Sequence, residues 1–491
     1  MRRLFLGLDV GTQGTKGLVW DAERGAVVAR SSRAYGLIEG LPQGAAEQHP
    51  QTWLAAIEEV ARELWRALDP RAGELGGVGV SGQQHGLVVL DAEDRVLRAA
   101  KLWCDTSTVD EAAELSRALG RSVPTGFTAP KVLWLARREP ELFERVRRVL
   151  LPHEYVNLCL CGEARAEPGD ASGTGWLDPR TRRHDARALA AVHPRLAELL
   201  PPLVEAPQLA GTLTAEGARR LALSADFAGV PLALGSGDNM CSAVGAGATR
   251  EGVFVVSLGT SATVFGHASQ PVVDPQGGIA PFCDATGGWL PLLCTMNATG
   301  VLEDVAAAYG SDLETLTRAA AVEPAGCEGL VYLPFLVGER VPDLPRACGV
   351  LDGLRPGHLR PARVFRAALE GVTCGLALGV ERMRALGLPI ERLRVVGGGA
   401  RNRLWLEFLA DALGAEVEAS AEPESAALGA ALLAVWSEAR ARGASSSVDA
   451  LSQAACRPAG EVVRPVPARE AAWRELRGRF RERLDARFGR A

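Results

Sequence analysis

Leu6-Gly-Leu-Asp-Val-Gly-Thr-Gln-Gly-Thr-Lys16 runs an apolar strand into Asp9, turns at Gly11-Thr12, passes Gly14 and Thr15, and enters a second strand at Gly17 to Trp20. The pattern returns about half a chain later in Val253-Phe-Val-Val-Ser-Leu-Gly-Thr-Ser-Ala-Thr-Val-Phe265, with its Gly-Thr turn at Gly259-Thr260 and a further hydroxyl at Ser261. Two such hairpins, one in each half, point to two similar domains gripping one phosphate chain. Glycines let backbone N–H groups approach phosphate oxygens closely, and the hydroxyls add donors.

At 491 residues the chain is too long for one typical core and reads as two domains of about 240 residues each. The boundary is expected near residue 243, giving 1–243 and 244–491. Hydrophobic residues make up 47% and charged ones 23%, so the composition is that of an ordinary globular protein. A net charge of −5 leaves no basic field to displace counterions, so no nucleic-acid partner is expected. No run of about 18 apolar residues occurs, so no membrane span is expected. The only lysines are Lys16, Lys101 and Lys131, which draws interest to them, since a site needing a compact ammonium resists replacement by arginine. The ten cysteines are scattered, and the closest pair, Cys159 and Cys161, has no His or Cys neighbour at zinc spacing. Free thiols in a reducing cytoplasm are expected.

Strands alternate with helical patterns, which argues an α/β fold. Trp53, Ile57, Val60, Ala61, Leu64 and Leu68 recur at helical spacing behind His49-Pro50. A polar stretch to about Gly44 follows the first hairpin, and Leu142–Leu151 reads as a continuation of the helical layer. In the second half, Pro361–Leu386 and Ala426–Ala439 read as helices, and the Arg-rich tail from Arg469 as a solvated one.

Asp9 stands at the tip of the first strand beside the proposed phosphate cradle. It suits either a Mg²⁺ site, in which waters fill most positions and one or two carboxylates suffice, or a turn residue capping its own backbone; the second hairpin favours the metal. Val395-Val-Gly-Gly-Gly-Ala-Arg-Asn-Arg-Leu-Trp405 is a strand, a triple glycine and a helix start. Bare backbone there would admit a base or ribose, and a tight left-handed turn explains the glycines nearly as well. Neither the dinucleotide nor the Walker glycine spacing occurs. Ser81-Gly-Gln-Gln-His-Gly86 places Gln83, Gln84 and His85 on a loop suited to hydroxyl recognition, although His85 alone also reads as a structural histidine. Asp238 in Gly235-Ser-Gly-Asp-Asn239 sits at a strand's C-terminal end, where a carboxylate can accept a hydroxyl proton.

With these pieces in place the chain resembles, nearly end to end, the FGGY family of carbohydrate kinases, which share the actin-like duplicated ATPase fold. Leu8 to Lys16 looks like the family's first phosphate loop and Ser257 to Ala262 its second. Gly397 to Asn402, with Glu424-Ser-Ala-Ala-Leu-Gly-Ala-Ala431, is similar to the adenosine-binding segment. Gly126 to Trp134 fits most of one family signature, and Gly338-Glu-Arg-Val-Pro342 with Gly349 to Glu370 fits the other. The Gln-His-Gly loop with Gly-Asp-Asn resembles the members that phosphorylate xylulose, and the Arg-Glu-Thr-Thr stretch of the glycerol-specific members is absent. Leu102-Trp-Cys-Asp105 resembles the family's Trp-x-Asp-x-Arg, but Ser107 stands where Arg is usual, and Cys348 stands where Arg is frequent.

The resemblance implies a two-domain α/β enzyme with a central cleft that uses ATP and Mg²⁺ to phosphorylate a five-carbon ketose, D-xylulose above others. Thr12, Gln13, Thr15 and Lys16 would face the phosphates from one domain and Gly259, Thr260 and Ser261 from the other. Asp9 would hold Mg²⁺; Gly398, Gly399 and Asn402 would lie against adenosine. Gln84, His85, Trp103, Asp105 and Asn239 would orient the sugar for Asp238, the base. Other acceptors in the same family, such as ribulose, a polyol or a sugar acid, are the first alternative. An actin-like ATPase acting as chaperone or filament protein is the second, and it would need neither the sugar loop nor Asp238. Similar kinases are often homodimers, so a homodimer is a further expectation.

Overall fold

The computed structural model describes residues 3–68 and 71–489. Two mixed sheets organise it. The first runs, edge to edge, Leu209–Thr212, Pro231–Ala233, Leu75–Gly82, Leu4–Val10, Gly14–Asp21 and Ala26–Ala34, with Ser236–Gly237 also paired to Leu75–Gly82. The second runs Ile279–Cys283, Trp289–Thr295, Ala262–Gly266, Val253–Leu258, Arg392–Val396 and Glu416–Ala419. The duplication read from the hairpins is visible in the registers. In each sheet the hairpin's first strand pairs antiparallel with its second and parallel with a strand that returns after a long excursion, setting Asp9 beside Ser81 in one sheet and Ser257 beside Val396 in the other. Both central strands are buried along nearly their whole length, as parallel pairing with cover on both faces requires.

The helix Pro50–Leu68 buries the stripe its periodicity announced. Pro361–Ala385 spans the second half, and Ser425–Ala441 is buried over most of its length. This last helix, although late in the chain, lies on the first sheet. A Cβ on Gly7 would come within 1.9 Å of the Ala427 carbonyl oxygen, and one on Gly79 within 2.0 Å of that of Ala430. The same helix meets Asp238–Gly245, where a Cβ on Gly429 would sit 1.8 Å from the Cys241 carbonyl oxygen. Bare glycine backbone therefore brings the two halves to contact distance around one shared apolar cluster, in which Phe5, Leu18 and Trp20 join Val255, Phe265 and Phe282.

Three local expectations change. The polar stretch after the first hairpin contains a strand, Ala26–Ala34, which has only one fully buried residue, Ala29, and so lacks an apolar signal. Leu142–Leu151 divides into a helix, Pro140–Arg145, and a strand, Arg148–Leu150, paired with Val88–Leu90. The Arg-rich tail forms the helix Pro467–Phe488, but it is docked rather than free, since Trp473, Phe480 and Leu484 are buried in the second core. All ten cysteines are free thiols. Among the described residues no helix is long and apolar enough to cross a membrane.

Candidate active site

The first hairpin closes through the Gly11 amide, which donates to the Gly14 carbonyl at 3.0 Å. Its tip holds Thr12 and the exposed Gln13. Thr12 Oγ1 donates to Gln83 Oε1 at 2.9 Å and accepts from Trp103 Nε1 at 2.9 Å, so the hairpin tip is tied to the Gln83–His85 loop and to Trp103. Behind them Gln48 accepts from Trp53 and Gln83 through Oε1 and donates to the Thr12 carbonyl at 2.7 Å. Gln48 carried no motif and was missed by the sequence reading. Thr15, expected at the phosphates, is instead fully buried, with its hydroxyl 3.1 Å from that of Tyr35. Strand alternation turns it to the sheet's inner side, whereas Lys16 emerges into the cleft and ion-pairs with Glu424 at 2.8 Å.

Asp9 lies at the end of its strand, nearly buried, and accepts from Ser81 Oγ at 2.8 Å. Burial pushes its carboxyl up to about 6, against the opposing pull of Ser81 and Lys16. Asp238, the first residue of the helix Asp238–Gly245, is half-buried and is pushed up to about 8, first by burial and then by the charges of Asp9 and Asp170. Two carboxylates that repel each other in one cleft, neither held in an ion pair among the described residues, fit a hydrated divalent cation between them. No cluster of three or more ligating side chains exists among the described residues.

Around Asp238, Asn239 and Gln84 form a hydrogen-bonded chain. Asn239 Nδ2 donates to Gln84 Oε1 at 2.8 Å and to Asp238 Oδ1 at 3.0 Å. His85 takes a left-handed backbone (φ 65°). Its ring packs against Phe127 and, from the second sheet, Phe282, at centroid distances of 5.2 and 5.6 Å. Burial, then Lys131 and Arg340, push its imidazole down to about 3, so it is neutral at physiological pH. Asp105 does not join them. It is fully buried, and its two oxygens accept from the Ala46 and Ser107 amides, Ser107 Oγ and Lys101 Nζ. Ser107, in the place usual for Arg, is thus one of the groups that hold Asp105.

The second hairpin tip closes through Gly259 N–H to the Ser261 carbonyl at 3.0 Å, leaving Gly259 and Thr260 exposed and Ser261 partly so. It begins beside the triple glycine, since Cβ atoms on Gly397 and Gly399 would strike Leu258. Gly398 faces open space, whereas Gly399 is buried against Leu258 and Trp405. Asn402 is committed as well. Its Oδ1 accepts from the Trp405 amide, capping the helix Arg403–Leu413, and its Nδ2 donates to Thr317. Of the expected adenosine contacts, Gly398 alone presents an open face.

The sequence reading also missed a buried polar group behind the sugar loop. His153 Nδ1 lies 2.8 Å from Asp170 Oδ2, both fully buried. Nearby Glu167 accepts from the amides of Gly169 and Asp170 and from Ser236 Oγ. His153 lies in the first turn of the helix Pro152–Cys161 and the two carboxyls at the short helix Pro168–Ala171, and their approach to a loop many residues earlier is something local patterning does not reveal.

The chain is similar to known proteins along most of its length. The N-terminal and C-terminal domain models of the FGGY family of carbohydrate kinases match residues 4–245 and 254–438. A xylulose kinase of Haemophilus influenzae is 36% identical over 449 residues, covering 88% of this chain and 90% of that protein. A xylulose kinase of Streptomyces rubiginosus is 38% identical over 439 residues, covering 87% and 86%. Among solved structures, a xyloylose kinase from Brucella ovis superposes with a TM-score of 0.89 at 34% identity, covering 98% and 99% of the two chains. The two sheets are accordingly the duplicated domains of the actin-like ATPase fold. With both domain models matched and relatives 36% and 38% identical along most of its length, the chain belongs to the FGGY family of carbohydrate kinases, ATP-using phosphotransferases that act on a sugar hydroxyl.

Proposed function

We propose that this kinase transfers the γ-phosphoryl group of MgATP to the terminal hydroxyl of D-xylulose, giving the 5-phosphate. The observation that carries the reading is the hydrogen-bonded chain from Gln84 through Asn239 to Asp238, on the loop that also carries His85. The xylulose kinases it resembles support the choice of sugar. His85 is neutral and its ring is packed against Gly173, Phe127 and Phe282, so it meets the sugar as an uncharged group held in a fixed pose. Asn239 holds one oxygen of Asp238 and leaves the other to take the hydroxyl proton. A loose phosphoryl transition state asks little of that base, because the proton moves late.

Thr12, Gln13 and Lys16 face the phosphates from the first hairpin and Gly259, Thr260 and Ser261 from the second, with Gly398 offering bare backbone to adenosine. Asp9 would hold Mg²⁺, with Asp238 nearby, and the ion supplies neutralisation of phosphate charge. Trp103 braces Thr12 from the sugar side. The functional boundary we read at 243/244, between the base and the second phosphate loop, falls inside the helix Asp238–Gly245, ahead of the strand that begins at Val253. A cytoplasmic location accords with the free thiols. Closure of the cleft on the sugar aligns the reactants and excludes water. The test is ADP formation with MgATP across ketopentoses, ketohexoses, polyols and sugar acids. D-xylulose should give the highest kcat/KM; a higher value for another class reassigns the sugar.

A further inference from the structure

We propose that Asp170 is a positioning residue for sugar recognition: it fixes which end of the Gln84 amide faces Asn239, and through Asn239 it sets the pose of Asp238. The proposal rests on the sugar-kinase reading of the Gln84–His85 loop. Asp170 lies in the short helix Pro168–Ala171, and Glu167 caps that helix through the Gly169 and Asp170 amides, both at 2.6 Å. Glu167 also accepts from Ser236 Oγ at 2.7 Å, which clamps this segment to the strand that delivers Asp238. A Cβ on Gly237 would lie 2.6 Å from Gln84 Cγ and 3.1 Å from Asp170 Oδ1. Gln84 and Asp170 therefore flank the same bare backbone, one residue before the base.

Four buried polar atoms in this place lack a hydrogen-bond partner: Asp170 Oδ1, Gln84 Nε2, His85 Nδ1 and His153 Nε2. They are four of only eleven such atoms among the described residues, and two of them, an acceptor on Asp170 and a donor on Gln84, flank Gly237 together. Asp170 Oδ2 faces His153 Nδ1 at 2.8 Å. Whichever of those two holds the shared proton, Oδ1 remains an acceptor. The Gln84 side chain and the His85 amide lie on its side, short of hydrogen-bond geometry. An acceptor admits the NH₂ of Gln84 and rejects its carbonyl, which leaves Oε1 to receive Asn239 Nδ2 at 2.8 Å. If Gln84 flips, its NH₂ meets the NH₂ of Asn239, and Asn239 loses the geometry from which it donates to Asp238 at 3.0 Å.

The experiment is a double-mutant cycle on the full chain, read as kcat/KM for D-xylulose, KM for ATP and Tm. Asp170→Ala should lower kcat/KM by about 10- to 100-fold, the scale of a misplaced reacting group, with KM for ATP within about twofold. Asp170→Asn, which still offers an oxygen to Gln84, should restore most of it. In a Gln84→Ala background the Asp170→Ala penalty should vanish, because the group it acts through is gone. If Asp170→Ala does not fold, Gln84→Glu sets acceptor against acceptor, and adding Asp170→Asn should recover several-fold. Additive penalties, a matching loss of ATP affinity, or no recovery by Asp170→Asn overturns the proposal while leaving the sugar reading standing. A wild type inert toward every sugar overturns both.

Discussion

Asp238→Asn should remove catalysis and stabilise the protein, and the stability gain should depend on pH in a direction the structure dictates. The Asp238 carboxyl rises from 3.8 to about 8 through burial and the neighbouring Asp9 and Asp170 charges. Between those values the folded protein holds a proton at Asp238 that the unfolded chain has released. Stability therefore falls as pH rises across that window and levels off above about 8. Each pH unit crossed is worth about 1.4 kcal/mol, which at pH 7 sets a ceiling of about 4 kcal/mol. The cleft is open to water on one side and screens part of this, so a gain of about 1–2 kcal/mol is expected, or about 2–8 °C in Tm. Asn has no charge to bury and keeps the side-chain volume. The assay is Tm of wild type and Asp238→Asn from pH 5 to 8.5, without nucleotide or divalent cation, alongside kcat with MgATP and sugar. The Tm difference should widen with pH while kcat falls by about 10²- to 10⁴-fold. A difference that is flat with pH, or a variant less stable than wild type at pH 8, refutes the electrostatic account; near-normal turnover refutes the base.

Lys16→Met removes a cation that is 45% exposed and rests on Glu424. KM for ATP should rise about tenfold with a stability change of no more than about 1 kcal/mol, as for other exposed pairs, and an unchanged KM would place Lys16 outside the phosphate site. Asp105→Asn should behave in the opposite manner. It removes one of the two carboxylates on the buried Lys101 ammonium, with Glu47 staying at 3.1 Å, at a cost of about 1–3 kcal/mol. Tm should drop while the sugar KM of the surviving enzyme holds, and a raised KM at normal Tm would return Asp105 to the sugar site.

The two Gly-Thr hairpins, the triple glycine, the sugar loop and the carboxylate after Gly237 were all legible in the sequence. Each is a turn at a strand end whose chemistry is local: glycine spacing and a few hydroxyls suffice to identify it. The strand Ala26–Ala34 was not legible, because most of its side chains keep contact with solvent and give no apolar alternation. The docking of Ser425–Ala441 on the first sheet was equally hidden, since it depends on Gly7 and Gly79, hundreds of residues earlier in the chain, meeting Ala427 and Ala430.

By itself, then, the sequence determined the duplicated fold, the family and the segments that build the cleft. Only the tertiary structure decided which polar side chains in those segments remain available. Thr15 is taken by Tyr35, 20 residues away, Asp105 by the Ala46 amide, 59 away, and Asn402 by Thr317, 85 away. Asp170, unmarked in the sequence, lies against Gln84 and His85. Whether a donor or acceptor is free for substrate depends on every group within about 3 Å of it, and in a folded chain those groups come from distant segments.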